Sequence, residues 1–489
     1  MKDGCTERPL VFSLLALARS EPDRAALATG EGPLSYSRFA AVVLSAAERL
    51  VRRGLGRGER IVIVGTNRPE TAVAYFAVHA AGCVAVPLDP TMPPEALRWI
   101  VEDAGARLVL LDRDISLGVP CEDLLELVGG NDGGGLGEPA CRLDDVADLL
   151  YTSGTTGRKK GVVLTHRQIA QAAVNIQAFV QSRPGDVEIM PIPLAHSFGL
   201  GRLRAMAVAG NTLVLEPGLR NAAGTLQRLL DLRAAGIAMV PAGFELMVRL
   251  TKDALAAAAG HLRYVEIGSA AMRIELKRHL MAMLPKTRIC HHYGLTEASR
   301  ATFLEYHADE PKLDSTGRPS PNVQVAVCDE QGRQVSAGGD GEICVRGGMV
   351  MKEYWKQPAL TRETLRDGWL RTGDWGRQDA DGYLYLAGRQ SDLINVGGMK
   401  ASPEEIEEAI NSHPAIVESA CLGAPDPQEI TGECVKACIV TRSEVSDQQL
   451  VQWLRGRIEE YKVPRLWERV DRIARTPSGK IRRQLMRGA

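Results

Sequence analysis

Apolar residues recur at helical spacing over residues 36–51, and the glycine-rich stretch 54–58 that follows is typical of a helix end. A β-branched run at 61–64 then predicts a short buried strand. The same alternation continues with a helix at 69–81, a strand at 83–87, a helix at 94–104 and a strand at 107–111. Fully apolar strands that alternate with helices predict an α/β fold, in which helices cover both faces of parallel-type sheets.

A second α/β stretch begins with a predicted strand at 145–151, and Thr165 is a suitable cap for a helix that runs to about residue 180. Further strands are predicted at 161–164, 213–215, 237–240, 264–267 and 287–290, with helices at 224–235 and 272–283. Between the two stretches, residues 129–139 are too rich in glycine to pack, and we expect a mobile loop there.

The pattern changes twice towards the C-terminus. From about residue 323, short alternating strands with glycine turns predict a small β-rich subdomain that extends to residue 389. After it, the predicted elements are a helix at 403–411, strands at 417–422 and 435–440, and a helix at 447–461. We therefore expect an N-terminal core at 1–389 and a mobile α+β lid domain at 390–489.

Composition and charge narrow the classes of function. The length of 489 residues suits several domains, and 59 Lys and Arg against 60 Asp and Glu give a net charge of −1. No overall field therefore recruits nucleic acid or an anionic membrane. The ten cysteines form no CxxC pair or zinc spacing, and the N-terminus lacks an apolar signal core, which fits the reducing cytoplasm. No window approaches about 18 consecutive apolar residues, so we expect no membrane span.

The segment 151–161, Tyr-Thr-Ser-Gly-Thr-Thr-Gly-Arg-Lys-Lys-Gly, combines the residue types that bind phosphate. Glycines let backbone N–H groups approach an anion, hydroxyls donate further hydrogen bonds, and lysines supply charge. The spacing is not that of a Walker P-loop, because two residues separate Gly154 from Gly157 and Gly161 follows Lys160. Taken alone, the segment also fits a polar surface loop.

Five further motifs follow in a fixed order: Tyr293-Gly-Leu-Thr-Glu297, Arg371-Thr-Gly-Asp374, Gly388-Arg389, Gly397-Gly398 with Pro403, and Pro477-Ser-Gly-Lys480. With these motifs the chain resembles, over almost its whole length, the adenylate-forming superfamily. That superfamily contains acyl-CoA synthetases, adenylation domains that load carrier proteins, and beetle luciferases. The resemblance implies that a carboxylate reacts with ATP to give an acyl-AMP, and that a pantetheine thiol then takes the acyl group.

The resemblance also implies roles for individual residues. Lys480 matches the lysine that bridges the carboxylate and the α-phosphate, and Glu297, with Thr156, matches the ligands of Mg²⁺. Asp374 matches the ribose ligand, and Arg389 is expected to meet ribose or phosphate oxygens. The remaining residues expected to contact the nucleotide or the pantetheine arm are Thr152, Ser153, Gly154, Thr155, Gly157, Lys160, Tyr293, Gly294, Thr296, Gly398 and Lys400.

Two positions depart from the family pattern. Lys159 stands where the family usually has proline, which should loosen the loop and add a positive charge. Ser391 stands at the hinge position where many members carry Asp or Lys, although Asp392 lies next to it.

The segment 193–200 matches the part of the family that borders the carboxylic acid, and there His196 is expected in a gating or catalytic role. Gly199 replaces the aspartate that pairs the α-ammonium in amino-acid-activating relatives, which disfavours an α-amino acid. Ser197 replaces the asparagine usual in enzymes for 2,3-dihydroxybenzoate, which makes that substrate doubtful. The predicted pocket residues are Ser197, Phe198, Gly243, Phe244, Gly268, Ser269 and Ala270. Their mostly small or apolar side chains suit an aryl or medium apolar acid.

The sequence therefore predicts an acid–thiol ligase that uses ATP, Mg²⁺ and CoA, or the phosphopantetheine of a carrier protein. The first alternative is a free-standing adenylation enzyme that loads an acyl-carrier protein. The second, from another class, is a non-catalytic nucleotide-binding paralogue. A homodimer is an assembly that the sequence leaves open.

Overall fold

The structure is a computed structural model that describes residues 7–29, 32–112, 117–129, 137–153, 159–218, 221–389, 392–396, 399–427, 433–455, 457–475 and 481–486. The helices are α1 Leu10–Ser20, α2 Tyr36–Arg52, α3 Pro69–Ala80, α4 Pro94–Ala104, α5 Leu124–Gly129, α6 His166–Val180, α7 Ser197–Ala209, α8 Ala222–Asp231, α9 Pro241–Thr251, α10 Ile274–Met283, α11 Pro358–Thr364, α12 Pro403–Asn411 and α13 Asp447–Leu454.

The strands up to the middle of the chain are β1 Ala25–Thr29, β2 Gly32–Ser35, β3 Arg60–Val64, β4 Val84–Leu88, β5 Leu108–Leu111, β6 Cys121–Asp123, β7 Val146–Ser153, β8 Lys159–Thr165, β9 Val187–Met190, β10 Thr212–Leu215, β11 Gly236–Met239, β12 Tyr264–Ile267 and β13 Arg288–Tyr293. The later strands are β14 Thr302–Glu305, β15 Arg318–Pro319, β16 Val323–Cys328, β17 Asp340–Gly347, β18 Glu353–Tyr354, β19 Leu365–Arg366, β20 Trp369–Gln378, β21 Leu384–Arg389, β22 Ile394–Val396, β23 Met399–Ala401, β24 Ile416–Pro425, β25 Glu433–Thr441 and β26 Leu466–Arg469.

The chain divides into two compact units. The first contains residues 1–325 and 345–370, and the second contains residues 326–344 and 371–489. The expected boundary between a core and a lid at residues 389 and 390 stays a prediction. None of the helices in the described part of the chain combines the length and the apolar composition that a membrane span requires.

Two large mixed sheets form the framework of the first unit. In the described residues, one sheet has nine strands in the order β15-β14-β13-β12-β11-β9-β10-β1-β2, and the other has seven in the order β18-β8-β7-β4-β3-β5-β6. The central pairs of both sheets are parallel, as the apolar strands predict. Antiparallel pairs lie at the ends, where β2, β14, β15, β8 and β18 join.

Buried helices connect these two sheets. Helix α6 packs against β7 and β8 of one sheet and against β12 and β13 of the other. Helix α3 packs against β3 and β4 as well as β1, and its side chains from Thr71 to Ala80 are buried. The predicted cap of α6 is present and forms a capping box, since the Thr165 side chain accepts a hydrogen bond from the backbone amide of Gln168, and the Gln168 side chain accepts one from the backbone amide of Thr165.

Helix α7 lies in the same interior and carries two buried arginines. Arg202 pairs with Glu188 on β9 and with Glu266 on β12, both in the nine-stranded sheet. Arg204 pairs with Asp148 on β7 of the seven-stranded sheet, and it donates to the hydroxyl of Tyr75 at 2.8 Å. Buried charges are stable only when they are paired, so these ion pairs hold α7 against both sheets.

The remaining sheets are smaller. The five-stranded sheet has the order β16-β17-β20-β19, with β21 paired to β20, which agrees with the predicted β-rich region. Near the C-terminus, β24, β25 and β26 form a three-stranded sheet, and helix α12 packs against β24. Strands β22 and β23 form a separate two-stranded ribbon.

Most predicted elements are confirmed to within a few residues, but the length of one predicted helix needs correction. The predicted helix at 447–461 ends at Leu454, because Arg455 adopts extended backbone with ψ 128° and glycine follows it in the sequence. The predicted strand at 161–164 is confirmed within β8, where it pairs antiparallel with β7. Helix α7 had not been predicted, because it is buried on nearly all sides and its sequence lacks an amphipathic period. The predicted glycine-rich loop falls mainly on residues 130–136, outside the described residues.

A pair of buried histidines adjoins the Arg204–Asp148 pair. The ring of His166 meets the ring of His79 at 4.8 Å in a T-shaped contact, and Nε2 of His79 lies 3.0 Å from Oδ1 of Asp148. Burial, aided by the charge of His79, lowers the pKa of His166 to about 3. The folded chain therefore holds His166 neutral at a pH where the unfolded chain would protonate it.

We expect this histidine to make the fold acid-sensitive. Between about pH 6.5 and 3 the unfolded state binds a proton that folded His166 excludes. The free energy of unfolding therefore decreases as the pH is lowered, by up to about 1.4 kcal/mol per pH unit. In urea unfolding, His166→Phe should therefore gain about 2 kcal/mol relative to the unmodified chain between pH 7 and pH 5. His279→Asn, at a partly exposed histidine of α10, is the control. An equal difference at both pH values would contradict the prediction.

Candidate active site

Four of the predicted site segments follow neighbouring parallel strands. The segment 193–200 follows β9, 240–244 follows β11, 268–271 follows β12, and 293–297 begins at the last residue of β13. The four strands are parallel neighbours in the order β9, β11, β12, β13. The carboxyl ends of parallel strands meet at one edge of a sheet, where open α/β sheets bind their ligands. The structure therefore brings these segments together at one edge.

The predicted phosphate segment spans the β7–β8 hairpin. Thr152 pairs with Lys160 across the hairpin, and Ser153 pairs with Lys159. Neighbouring residues of a strand point to opposite faces, so the unusual Lys159 lies on the other face from Lys160. The predicted ligands between the two strands lie outside the described residues: Gly154, Thr155, Thr156 and Gly157.

Tyr354 links the phosphate hairpin to the turn that carries Glu297. Nζ of Lys160 lies 5.6 Å from the centre of the Tyr354 ring, and the Tyr354 hydroxyl donates to Oε1 of Glu297 at 2.8 Å. The backbone carbonyl of Glu297 accepts a hydrogen bond from the amide of Met351 at 2.8 Å. Tyr354 thus has a lysine near its ring and an oriented carboxylate at its hydroxyl. Sequence reasoning missed Tyr354, which belongs to none of the quoted motifs.

His196 immediately precedes α7 and is about half exposed, and its Nε2 lies 3.6 Å from Oδ2 of Asp89. Thr91 also binds this carboxylate, through its amide at 2.7 Å and its hydroxyl at 2.6 Å. These contacts, above all that with His196, hold the pKa of Asp89 well below its usual range. Asp89 is therefore an anionic partner that fixes the imidazole of His196. Asp89 belongs to none of the sequence motifs, although it directly follows a buried strand.

The first turn of α7 is packed too closely to admit a larger residue at position 199. A Cβ atom on Gly199 would lie 2.4 Å from the carbonyl oxygen of Pro193, a backbone atom that cannot rotate away. Phe198 is buried, with its ring 4.7 Å from that of His292. The aspartate of amino-acid-activating relatives therefore has no room at this position.

The other predicted pocket residues divide into exposed and buried positions. Ser269 and Ala270 are exposed after β12, and Ser269 has a left-handed φ of 75°. Gly268 is buried, and a Cβ atom there would lie 2.0 Å from the ring of His292. Gly243 and Phe244 are buried in the first turn of α9, and the Phe244 side chain is fully covered. Ser269 and Ala270 are thus more accessible than the α9 residues.

His291 fixes the backbone of the exposed segment. Its Nε2 lies 3.0 Å from the carbonyl oxygen of Ala270, and its Nδ1 lies 2.8 Å from the hydroxyl of Tyr306. Burial lowers the pKa of His291 to about 3, so its ring is neutral near pH 7. A neutral ring donates from one nitrogen only, and the Ala270 carbonyl accepts that proton.

A cluster of buried charges lies directly beneath this edge of the sheet. Glu266, on β12, contacts Arg202 at 3.0 Å, Arg300 at 3.0 Å and Nδ1 of His292 at 2.9 Å. Burial alone would raise the pKa of Glu266, but the charges of Arg300 and Arg202 hold it well below its usual range. Sequence reasoning missed this cluster, although a glutamate within the apolar strand Tyr264–Ile267 was a usable signal.

Asp374 and Arg389 lie in the second unit and pair with each other. Nε of Arg389 lies 2.7 Å from Oδ1 of Asp374, and Nη1 donates to the carbonyl of Thr372 at 2.9 Å. Their strands, β20 and β21, are antiparallel neighbours with Asp374 opposite Arg389. Lys400 lies on β23, whereas Gly397, Gly398, Ser391 and Lys480 lie outside the described residues.

Comparison with known proteins identifies similar chains over nearly the full length. The AMP-binding enzyme family model matches residues 15–355, and the AMP-binding enzyme C-terminal domain matches residues 405–480. Feruloyl-CoA synthase from an Amycolatopsis species is 32% identical over 476 residues, which cover 95% of each chain. The long-chain-fatty-acid–CoA ligase of Mycobacterium tuberculosis is 30% identical over 472 residues, which cover 93% of this chain and 92% of the relative.

Solved structures give the same result. The o-succinylbenzoate CoA synthetase of Bacillus subtilis, in complex with an acyl-adenylate intermediate, matches with a TM-score of 0.90 at 27% identity. ATP-bound MatB from Rhodopseudomonas palustris matches with a TM-score of 0.88 at 30% identity. Both comparisons cover 98% of this chain and 98% of the other.

The packing around Gly199 predicts an unusual response to alanine. Alanine normally stabilises a helix by about 1 kcal/mol relative to glycine, but the Pro193 carbonyl leaves no room for a methyl group. We expect Gly199→Ala to lower the free energy of unfolding by about 1–3 kcal/mol, measured with urea. Gly260→Ala, at a glycine with no neighbouring atom within 4 Å of its Cβ position, is the control and should be close to neutral. A stabilised Gly199→Ala variant would show that the turn is looser than described.

Proposed function

The chain belongs to the AMP-binding enzyme family and is an AMP-forming acid–CoA ligase, and we propose that its acid is an aryl or medium-length apolar carboxylate. The observation that carries the proposal is that Tyr354 links the phosphate hairpin to the Glu297 turn, which lies at the same sheet edge as the acid-binding segment. The accessible walls, Ser269 and Ala270, are small and uncharged, and Gly199 leaves no space for an ammonium partner.

In the first half-reaction, a carboxylate oxygen attacks the α-phosphorus of ATP, and the bond to the β-phosphate breaks to release pyrophosphate. Two anions must approach each other, so the site has to supply positive charge where they meet. Lys480 bridges the carboxylate and the α-phosphate in this proposal, and Lys160 holds the departing phosphates with the hydroxyls and amides of residues 152–157. The His196–Asp89 pair positions the acid at the start of α7.

A magnesium ion fits one part of this site. Mg²⁺ prefers carboxylate and hydroxyl oxygens and usually keeps water or phosphate oxygens as its other ligands. Glu297 supplies a carboxylate oriented by Tyr354, and Thr156 is proposed as the second protein ligand. The described residues contain no cluster of three or more His, Cys, Asp or Glu that could hold a metal by itself. When bound, the ion would neutralise charge on the leaving pyrophosphate.

In the second half-reaction, the sulfur of CoA attacks the acyl carbon and AMP leaves, while the thiol proton passes to solvent or to AMP. We propose that residues 390–489 reorient between the two steps, with Gly398 and Lys400 beside the pantetheine arm. Asp374 and Arg389 hold the ribose of the nucleotide, and Tyr293, Gly294 and Thr296 contact its base and phosphates. The proposed hinge lies at Ser391, beside Asp392.

A panel of acids tests the proposed substrate class. We expect carboxylate-dependent ATP–pyrophosphate exchange to be at least about a hundredfold faster with aryl and medium apolar acids than with α-amino acids, because a buried ammonium would lack a partner. AMP release with CoA alone, compared with release with a carrier protein, then identifies the acceptor. Preference for an amino acid would overturn the substrate class, and background exchange with every acid would favour a nucleotide-binding paralogue without activity.

Substitution of the proposed catalytic lysine separates the two half-reactions. Lys480→Ala should slow adenylation more than about a hundredfold, which corresponds to about 3 kcal/mol of transition-state stabilisation. Transfer from synthetic acyl-AMP to CoA should change much less, because that step does not need the lysine at the α-phosphate. Lys286→Ala, at an exposed lysine before β13, is the matched control. Unchanged adenylation in Lys480→Ala would show that the assignment is wrong.

A further inference from the structure

Arg300 follows the Glu297 turn by three residues and is packed against its backbone. It has a left-handed φ of 54°, which is uncommon for a residue other than glycine. A Cβ atom on Gly294 would lie 2.5 Å from the amide nitrogen of Arg300, so the turn and Arg300 are in close contact. Any movement of Arg300 is therefore transmitted to the turn that carries Glu297.

The side chain of Arg300 reaches into the acid-binding segment. Nη1 donates to the carbonyl of Ser197 at 3.2 Å, and Nη2 donates to the carbonyl of Phe198 at 3.0 Å. The guanidinium also lies 5.0 Å from the centre of the Phe198 ring, and the whole residue is only 2% exposed. One planar group thus holds two successive carbonyls of the first turn of α7.

Two further features keep the guanidinium in this orientation. Nε donates to Oε1 of Glu266 at 3.0 Å, so all three nitrogens of the fork are engaged. A Cβ atom on Gly201 would lie 2.1 Å from Nη1 of Arg300, so the guanidinium can occupy this place only because α7 has glycine at position 201. The arrangement requires arginine at 300 and glycine at 201 together, and lysine could not reach the two carbonyls and Glu266 at once.

We propose that Arg300 is a positioning residue for adenylation, which fixes the acid-binding turn at residues 196–199 relative to the nucleotide-binding turn at residues 293–297. The inference rests on the proposed function of these two turns. The backbone of Arg300 is held on the nucleotide-binding turn and its side chain on the acid-binding turn, so Arg300 sets the distance between the acid carboxylate and ATP. A misplacement of about 1 Å between reacting groups can cost about a hundredfold in rate.

The experiment compares Arg300→Lys with Arg202→Lys in the full chain, both measured at least about 10 °C below their own melting temperatures. Arg202 binds the same Glu266, but its hydrogen bonds within the described residues go to Glu188 and Glu266 and not to the Ser197 or Phe198 carbonyls, so it controls for loss of a buried arginine. We expect Arg300→Lys to reduce kcat/KM for the acid about ten- to a hundredfold, while KM for ATP changes less than about threefold. The ranking of acids of different width should also change.

A second variant keeps the positive charge of Arg300 but displaces its guanidinium. Gly201→Ala should displace the guanidinium and give the same selective loss of kcat/KM for the acid, even if Arg300→Lys folds poorly. Arg300 would have only a structural role if the kinetic constants changed alike in Arg300→Lys and Arg202→Lys. The same conclusion would follow if kcat/KM for the acid were unchanged in Gly201→Ala. If the unmodified chain shows no exchange with any acid, the proposed function fails and the positioning role fails with it. If the unmodified chain is active and both Arg300→Lys and Gly201→Ala keep its kcat/KM for the acid, only the positioning role is refuted.

Discussion

The pairing of two buried arginines on α7 is the constraint on which the first unit depends. Arg202 and Arg204 are two residues apart, so their side chains leave the helix about 200° from each other. One meets carboxylates of the nine-stranded sheet, and the other meets Asp148 of the seven-stranded sheet. Removing one partner of such a pair leaves an uncompensated buried charge, which typically costs about 3–5 kcal/mol. The helix can therefore neither rotate nor slide between the sheets without breaking an ion pair.

This constraint matters for chemistry because the first turn of α7 borders the proposed acid site. Reaction between a carboxylate and a phosphate needs the two groups held close together in a fixed orientation, and the energy for that must be supplied by the folded protein. In this chain the charges that hold α7 also hold Arg300, through Glu266. The core ion pairs and the proposed site thus share Glu266, and Arg300 is the member of this network whose side chain also reaches the acid-binding turn.

Much of the fold could be predicted from local sequence signals. Helices Pro94–Ala104 and Pro403–Asn411 have the predicted bounds, because proline sets their first turn and their apolar residues keep a helical period. The motifs predicted the family, whereas the sheet edge where four site segments meet follows from the order of the strands in the structure. Periodicity could not predict α7, which is buried on nearly all sides, or the partners of Glu266, Tyr354 and Asp89. Those contacts join residues far apart in the sequence, and only the folded chain brings them together.

The proposed discrimination against α-amino acids rests on the backbone of the proposed site. An ammonium group beside the reacting carboxylate needs an anionic partner, and the natural position for one is residue 199. The Pro193 carbonyl fills the space that any side chain there would occupy, so replacing Gly199 alone cannot introduce an aspartate without moving the loop before α7. That loop leads into a helix held by ion pairs on both sides, which makes such movement costly. Discrimination among apolar acids depends on smaller differences in binding free energy, about 1–3 kcal/mol for each methylene. Substrate changes in this chain should therefore be easier along the series of apolar acids than from an apolar acid to an amino acid.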